Sequence, residues 1–235
     1  RTEPTEVKAE IEEDGEVKEE EITDAVDIAV GYYHTLILRK DGTVWSVGSN
    51  EYGQLSNGNT DTQYKLVQMK GLNGVGYVDN IVQIEASSTT TYLLTASGEV
   101  YSSGYNYHGQ MGNATTSRYN ENVKLQKMKK VSNIIKISAG DCNAMMLDAD
   151  GTVWSVGYNS NGELGLGHGD SRSLPQHVKT SDGNDIMRNV KDISTGTNHT
   201  VMLKEDGTVW SVGYNAYYQL GDTTNTSRSL PVQVV

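Results

Sequence analysis

The octapeptide DGTVWSVG occurs three times in this chain, at 41–48, 150–157 and 206–213. A degenerate copy, SGEVYSSG, lies at 97–104, so the same block begins at spacings of 56, 53 and 56 residues. A regular period of this length indicates a repeat architecture, in which each copy forms one unit that buries its apolar face only against its neighbours. The structure of one unit can therefore be worked out once and applied to all four copies.

Each unit contains four segments with the properties of short β-strands. A segment of small residues is followed by an apolar run such as LIL at 36–38, and a two-residue turn, Asp-Gly in three copies, joins that run to TVWSVG. A polar loop then leads to a last strand, which ends near Val67, Val123, Val178 and Val234. Four antiparallel strands repeated at this interval are typical of the blades of a β-propeller, with the small residues on the crowded innermost strand.

The fold prediction is thus an all-β propeller with four four-stranded blades in a domain that spans 22–235. We place the blades at about 22–77, 78–130, 131–186 and 187–235.

The net charge of −11 is concentrated at the N-terminus. Residues 1–27 carry twelve acids and three bases, which gives −9, whereas the other 208 residues carry 18 acids and 16 bases, which gives −2. Because few apolar side chains offset the entropy cost of ordering this region, we predict that 1–21 is an acidic, disordered linker. The nearly neutral body has no basic stripe, so we expect no nucleic-acid partner.

Several other classes of site are not expected. No apolar run approaches the length of a membrane span, so no membrane insertion is expected. The single Cys142 cannot form an internal disulfide, and no cluster at ligand spacing points to a metal or a cofactor. His34 and His199 recur at one repeat position, which favours a role in locking the blade over general-base catalysis. Trp45 and its equivalents favour packing between blades. We therefore predict no catalytic residues and no enzyme activity.

The motifs resemble those of the regulator of chromosome condensation (RCC1) repeat family. The likeness covers about 22–235, and its motifs are GYYHTLIL at 31–38, GTNHTVML at 196–203, NEYGQLSNG at 50–58, NYHGQMGN at 106–113, NSNGELGLG at 159–167, LPQHV at 174–178 and LPVQV at 230–234. The resemblance implies a propeller that binds other proteins. The family includes exchange factors for small GTPases that also dock on chromatin, and secreted bacterial propellers that bind or inhibit proteins.

The chain departs from this family in two respects. The family usually closes with seven blades, whereas this chain supplies four. The four could be part of a longer array, an arc completed by another copy or chain, or a closed four-bladed ring. In the fourth unit, Tyr218 replaces the glycine of the GQLG motif. If that position needs a positive φ, Tyr218 lies in a strained or rearranged loop.

The four copies also differ from one another in two loops that follow the first and third strands. In an antiparallel meander these loops emerge on the same face, and loops on a rigid scaffold are where recognition is usually built. Tyrosine enrichment is a mark of binding surfaces. The predicted partner-binding residues on this face are Tyr32, Tyr33, Tyr52, Tyr107, His108, Asp141, Asn161, Asn198, Tyr217 and Tyr218.

We therefore predict a non-enzymatic protein–protein interaction module that presents a tyrosine-rich loop face. The resemblance and the acidic leader suggest a bacterial member within a larger secreted or cell-surface protein, with the cytoplasm as the alternative location. Two other functions stay open: nucleotide exchange on a small GTPase, and a purely structural spacer. Self-association or further blades could complete the propeller.

Overall fold

Tight turns organise the chain into antiparallel pairs of strands. Each turn has three residues rather than the predicted two, because the N–H of Arg39 donates to the carbonyl of Thr43 at 2.9 Å and the other blades repeat this bond. The computed structural model describes residues 8–13, 16–117 and 123–235. Its four turn glycines, Gly42, Gly98, Gly151 and Gly207, have φ values of +83°, +78°, +73° and +85°. Glycine adopts this left-handed backbone conformation at no steric cost. Each turn joins the second and third strands of a four-stranded meander.

The chain forms an N-terminal hairpin and then four meanders, which we call blades 1 to 4. The hairpin comprises β1 (Lys8–Glu13) and β2 (Glu16–Glu21). Blade 1 comprises β3 (Ala25–Val30), β4 (His34–Arg39), β5 (Val44–Gly48) and β6 (Gln63–Gln68). Blade 2, after a 3-10 turn at Leu72–Gly74, comprises β7 (Ile81–Ala86), β8 (Thr90–Thr95), β9 (Val100–Gly104) and β10 (Gln126–Lys127). Blade 3 comprises β11 (Ile134–Ala139), β12 (Asn143–Asp148), β13 (Val153–Gly157) and β14 (Arg172–His177). Blade 4 comprises β15 (Val190–Thr195), β16 (His199–Lys204), β17 (Val209–Gly213) and β18 (Arg228–Gln233).

These strands lie within the four predicted blade ranges, and the all-β fold is confirmed. Blade 2 differs in one detail, because its last strand pairs Lys127 with Tyr101 and so lies beyond the predicted end at Val123. The limits of 22–235 as a unit that folds independently remain a prediction. The described part of the chain holds no helix with the length and hydropathy that a membrane span requires.

Apolar clusters join each blade to the next. Between blades 1 and 2, Leu36 and Leu38 of β4 pack with Ile81 and Ile84 of β7, and all four are buried. Equivalent clusters lie between blades 2 and 3 and between blades 3 and 4. The predicted packing role of the recurrent aromatic column is confirmed. Its members Tyr101, Trp154 and Trp210 each contact the cluster shared with the preceding blade.

The ends of the first strands converge on a common hub. A cavity of about 290 Å³ is lined by residues from the first loop of every blade, among them Gly31, Ser87, Gly140 and Gly196. A Cβ atom on Gly31 would lie 2.3 Å from the carbonyl oxygen of Ser87, and one on Gly140 would lie 2.7 Å from that of Gly196. The small residues are therefore needed at the centre, as predicted.

The two ends of this array of blades are open. Ile28 of β3 is 67% exposed, whereas Ile84, Ile137 and Ile193 at the same position of blades 2 to 4 are 3%, 2% and 2% exposed. In a closed ring of four, blade 4 would cover Ile28, just as each blade covers the equivalent isoleucine of the blade that follows it. The closed four-bladed ring is therefore wrong, and the four blades form an arc. A longer array and completion by another chain both remain compatible with this arc.

The N-terminal hairpin differs from the disordered linker that we expected over 1–21. Strand β1 pairs in parallel with β6, with Ala9 opposite Leu66, and β2 pairs with β1. Ala9 is buried against Ile37, Trp45 and Leu66 on the outer face of blade 1. Residues 8–13 and 16–21 form strands because Ala9 is buried and β1 pairs along an open sheet edge. Composition does not reveal these contacts. The other predicted linker residues, 1–7, 14 and 15, lie outside the described ranges.

Candidate interaction surface

The loops that follow the first and third strands are hydrogen-bonded to each other in every blade. The backbone N–H of Ser49 donates to the carbonyl of Tyr33 at 2.8 Å, and that of Tyr105 donates to Thr89 at 3.0 Å. Blades 3 and 4 repeat this bond. The two loop families therefore lie on one face, as predicted. We call this face the rim, and it comprises the loops 31–33, 87–89, 140–142, 196–198, 49–62, 105–117, 158–171 and 214–227.

Repeated polar contacts hold the larger rim loops in shape. The buried Asn50 accepts a hydrogen bond from the N–H of Leu55 at 2.9 Å, and its amide donates to the carbonyl of Asn59 at 2.9 Å. Gln54 accepts from the N–H of Tyr52 at 3.0 Å, and its carbonyl accepts from the hydroxyl of Thr91 in the next blade at 2.8 Å. Equivalent bonds recur in the other blades. The variable side chains are thus presented on a rigid frame.

A row of aromatic rings crosses three blades of the rim. Tyr52 of blade 1 lies 5.1 Å from Tyr105 of blade 2, measured between ring centroids. Tyr107 and His108 follow, 5.0 Å apart, and His108 lies 4.8 Å from Tyr158 of blade 3. These three contacts are edge-to-face, the arrangement that the ring quadrupoles favour. The structure therefore brings the predicted residues Tyr52, Tyr107 and His108 together.

Sequence reasoning missed the residues that complete this row. Tyr105, Tyr158 and Tyr214 occupy one repeat position, directly after the glycine of the VWSVG segment, where blade 1 has Ser49. Three aromatic residues in one loop column were the available signal. Because this column is nearly uniform among the copies, variation between the copies does not point to it.

The remaining predicted tyrosines lie in two separate places. Tyr32 and Tyr33 are exposed and contact each other edge-to-face at 6.3 Å in the first loop of blade 1. Tyr217 and Tyr218 are exposed at the tip of the third loop of blade 4, where Tyr217 lies 6.2 Å from Tyr214. Their exposure shows that these four rings are not needed for packing between the described blades.

The three predicted polar residues differ in their freedom to contact a partner. Asp141 is half-buried at the hub cavity, and its backbone is held by Ser88 and Thr197 of the flanking blades at 3.2 Å each. The amide of Asn161 donates to the buried Glu163 at 3.3 Å, so that its side chain contributes to the loop itself. Asn198 is half-buried, and its carbonyl accepts from the N–H of Tyr214 at 2.8 Å.

Two buried titratable groups on this face, Cys142 and Glu163, have raised pKa values. Burial, together with the neighbouring Asp141, raises the pKa of the Cys142 thiol to about 12, so the thiol is protonated at neutral pH. Burial also raises the pKa of Glu163, whose carboxyl caps its own loop. Within the described ranges, no group of three His, Cys, Asp or Glu side chains could hold a metal ion.

His34 links blade 1 to blade 2 through a side chain. Its Nε2 lies 3.1 Å from the hydroxyl of Thr91, and because that hydroxyl donates to Gln54, Nε2 carries the proton. Nδ1 is buried with no hydrogen-bond partner among the described residues. The structural role predicted for His34 is therefore supported. A second proton on Nδ1 would be buried without an acceptor, and burial lowers the pKa of His34 to about 4.

We predict that His34 makes the protein less stable in mild acid. Its pKa rises from about 4 when folded to about 6.5 when unfolded, so the unfolded chain binds more protons between these values. The contribution is complete above the unfolded pKa and is lost as the pH falls toward 4. Between pH 7 and pH 5 the loss is about 2 kcal/mol. Urea unfolding of the wild type and His34→Gln at both pH values measures it. Equal pH dependence in the two proteins would contradict the prediction.

Tyr218 has the strained conformation that its replacement of glycine suggested. Its φ is +63°, and the glycines at the same position of blades 1 to 3, Gly53, Gly109 and Gly162, have φ values of +81°, +79° and +83°. A bulky residue at positive φ is an outlier, and such strain persists only where the surroundings hold it. The strained residue lies on the rim, beside the exposed Tyr217.

Comparisons with known proteins agree with this geometry. The chain is 30% identical over 208 residues to the ultraviolet-B receptor UVR8 of Arabidopsis thaliana, covering 88% of this chain and 45% of the receptor. It is 31% identical over 212 residues to the probable E3 ubiquitin-protein ligase HERC4 of Homo sapiens, covering 89% of this chain and 19% of the ligase. The chain thus spans less than half the length of these relatives. Both are eukaryotic, so the expected bacterial membership finds no support here.

Solved structures show the same fold at lower identity. Human WBSCR16 superposes with a TM-score of 0.78 at 23% identity, covering 93% of this chain and 56% of that one. Prp20p of Saccharomyces cerevisiae, described with its binding to Gsp1p and histones, superposes with a TM-score of 0.74 at 19% identity, covering 92% and 53%. A family model described as the RCC1-like domain matches residues 2–235. Since that match covers nearly the whole sequence, this chain belongs to the RCC1-like domain family.

Proposed function

We propose that this domain is a non-enzymatic scaffold for protein–protein interaction and that the rim is its contact surface. The observation that carries the proposal is the row from Tyr52 through Tyr107 and His108 to Tyr158, with further exposed tyrosines on both sides. Tyrosine supplies large, stiff contact area at low entropy cost. These rings stand on loops fixed by buried hydrogen bonds, so little ordering is needed when a partner binds. Binding of Gsp1p and histones by Prp20p, which has this fold, supports a protein partner.

Substitution of five rim tyrosines tests this proposal. We expect serine at Tyr32, Tyr33, Tyr52, Tyr217 and Tyr218 together to weaken binding of a purified partner at least about thirtyfold, because aromatic hot spots contribute most of the affinity of an interface. The partner is first found by affinity capture and identified by mass spectrometry, and affinities are then measured by calorimetry with purified proteins.

Two exposed tyrosines outside the rim loops provide a control. Tyr64 lies on β6 and Tyr77 lies in the connection between blades 1 and 2. Serine at both should leave the affinity unchanged. If the rim variant keeps its melting temperature and still binds as tightly as the control, the rim is not the contact surface.

The other two functions give different results in the same experiments. If the domain is a structural spacer, affinity capture yields no partner whose binding the rim variant weakens. An exchange factor accelerates nucleotide release from a small GTPase, and a flat response across a panel of GTPases removes this candidate. Membership of a larger protein and a secreted or cell-surface location, with the cytoplasm as the alternative, remain predictions.

A further inference from the structure

The charges on the rim point to the chemistry of its partner, an inference that rests on the proposed function. Within the ranges given above, the eight rim loops contain no lysine and no arginine, while Arg118 and Lys124 follow in the part of the blade 2 loop beyond residue 117. The rim loops within these ranges contain six acids, which are Glu51, Asp61, Asp141, Glu163, Asp170 and Asp222. A surface with one sign of charge selects and steers partners of the other sign.

Three of these acids are already neutralised or buried. Asp222 pairs with Arg228 at 2.7 Å, and Asp170 lies 3.7 Å from Arg172 at the outer edge of blade 3. Glu163 is fully buried. The other three, Glu51, Asp61 and Asp141, make no ion pair within the part of the chain that the structure describes. They remain available to a cationic group.

Several basic residues lie outside the rim loops, although Arg172 and Arg228 begin β14 and β18 directly after a rim loop. Lys40 and Lys204 lie next to the Asp-Gly turns, and Lys130 and Lys179 lie in the connections between blades. By the topology of the meander, both kinds of loop emerge opposite the rim. The loops opposite the rim also carry acids, such as Asp41, Glu205 and Asp206, so charges of both signs are mixed there, whereas the rim loops within the ranges given above hold acids alone.

The hub cavity gives this charge a definite position. Among the described residues that line its 290 Å³, Asp141 is the one charged residue and Tyr32 the one aromatic residue. The remaining lining consists of small residues such as Ala86, Ser88 and Thr197. A carboxylate and an aromatic ring are the two groups that bind ammonium and guanidinium ions.

We propose that the rim binds a cationic segment of its partner protein, with one arginine or lysine side chain entering the hub cavity beside Asp141. The tyrosine row then covers the neighbouring part of that segment. Glu51 and Asp61 attract its other basic residues across the outer rim.

Labelled peptides test the proposal on the full chain. The probes are three peptides of equal length in which glycine alternates with arginine, with serine or with glutamate, and binding is measured by fluorescence anisotropy. We expect the arginine peptide alone to bind. Asp141→Asn should weaken that binding roughly tenfold, because it removes a charge-assisted contact. Glu205→Gln, an equal change of charge in an exposed turn on the opposite face, should weaken it less than about twofold because exposed, distant charges are screened.

The outcomes separate this inference from the proposed function. The proposal of a cationic segment is overturned if the serine or glutamate peptide binds more tightly than the arginine peptide. It is also overturned if Asp141→Asn and Glu205→Gln change the affinity for the arginine peptide equally. If the purified partner is lost by the five-tyrosine variant but retained by Asp141→Asn, the rim is a binding surface and the inference fails alone. If the partner is unaffected by both variants, the proposed function fails as well.

Discussion

Alanine at Gly109 is expected to lower the free energy of unfolding by about 3 kcal/mol or more. Gly109 has a φ of +79°, which costs an L-residue about 1 to 2 kcal/mol. A Cβ atom here would also lie 2.4 Å from the Cα of Ser173 in blade 3. Relief requires blades 2 and 3 to move apart, which would break the bond of 2.9 Å from the N–H of Ala114 to the carbonyl of Ser173. Urea denaturation monitored by tryptophan fluorescence measures the change.

Tyr218→Gly is the opposite substitution at the same turn position, in blade 4. The φ of Tyr218 is +63°, and no following blade of this chain packs on it, so Tyr218→Gly relieves backbone strain without a steric cost. We expect a gain of about 1 kcal/mol. A loss of stability in Tyr218→Gly, or a neutral Gly109→Ala, would contradict this account of the turn.

The second large effect concerns the isoleucine on the first strand of each blade. We expect Ile84→Ala to lower the free energy of unfolding by about 3 kcal/mol, because Ile84 is buried between blades 1 and 2 and the substitution leaves a cavity there. Ile28→Ala makes the same chemical change at the equivalent position of blade 1, where the side chain is exposed. That variant should change stability by no more than about 0.5 kcal/mol.

The comparison of these two variants also tests the arc. If Ile28→Ala costs as much as Ile84→Ala, then Ile28 is covered in solution, and another blade or chain occupies that end. Analysis by size-exclusion chromatography with light scattering shows whether a second copy does so.

Local sequence signals were sufficient for most of the fold. The Asp-Gly hairpins, the VWSVG strands and the small residues at 138–140 each report a conformation set by near neighbours and are present in the structure, although the turns have three residues and VWSVG is buried on both faces. The glycine replaced by Tyr218 was equally readable, because positive φ is a property of one residue.

What the sequence could not show depends on distant contacts. The acidic composition of the N-terminal segment leads to the prediction of a disordered linker instead of the hairpin of β1 and β2, although Ala9 and Ile11 alternate with charged residues in the manner of a strand. The stability of the hairpin comes from pairing with β6, which lies more than fifty residues later in the chain. The row from Tyr52 to Tyr158 likewise joins three blades, and no single copy of the repeat contains it.

The hairpin makes the two ends of the arc unlike each other. At blade 1, Ala9 and Ile22 occupy the outer face beside Trp45, whereas at blade 4 the side chains of Val201 and Leu203 are only half-buried. An open-ended filament requires a head and a tail that fit each other in every copy. The hairpin covers Trp45 but leaves Ile28 exposed, so the blade 1 end and the blade 4 end of the arc offer different surfaces to a second copy.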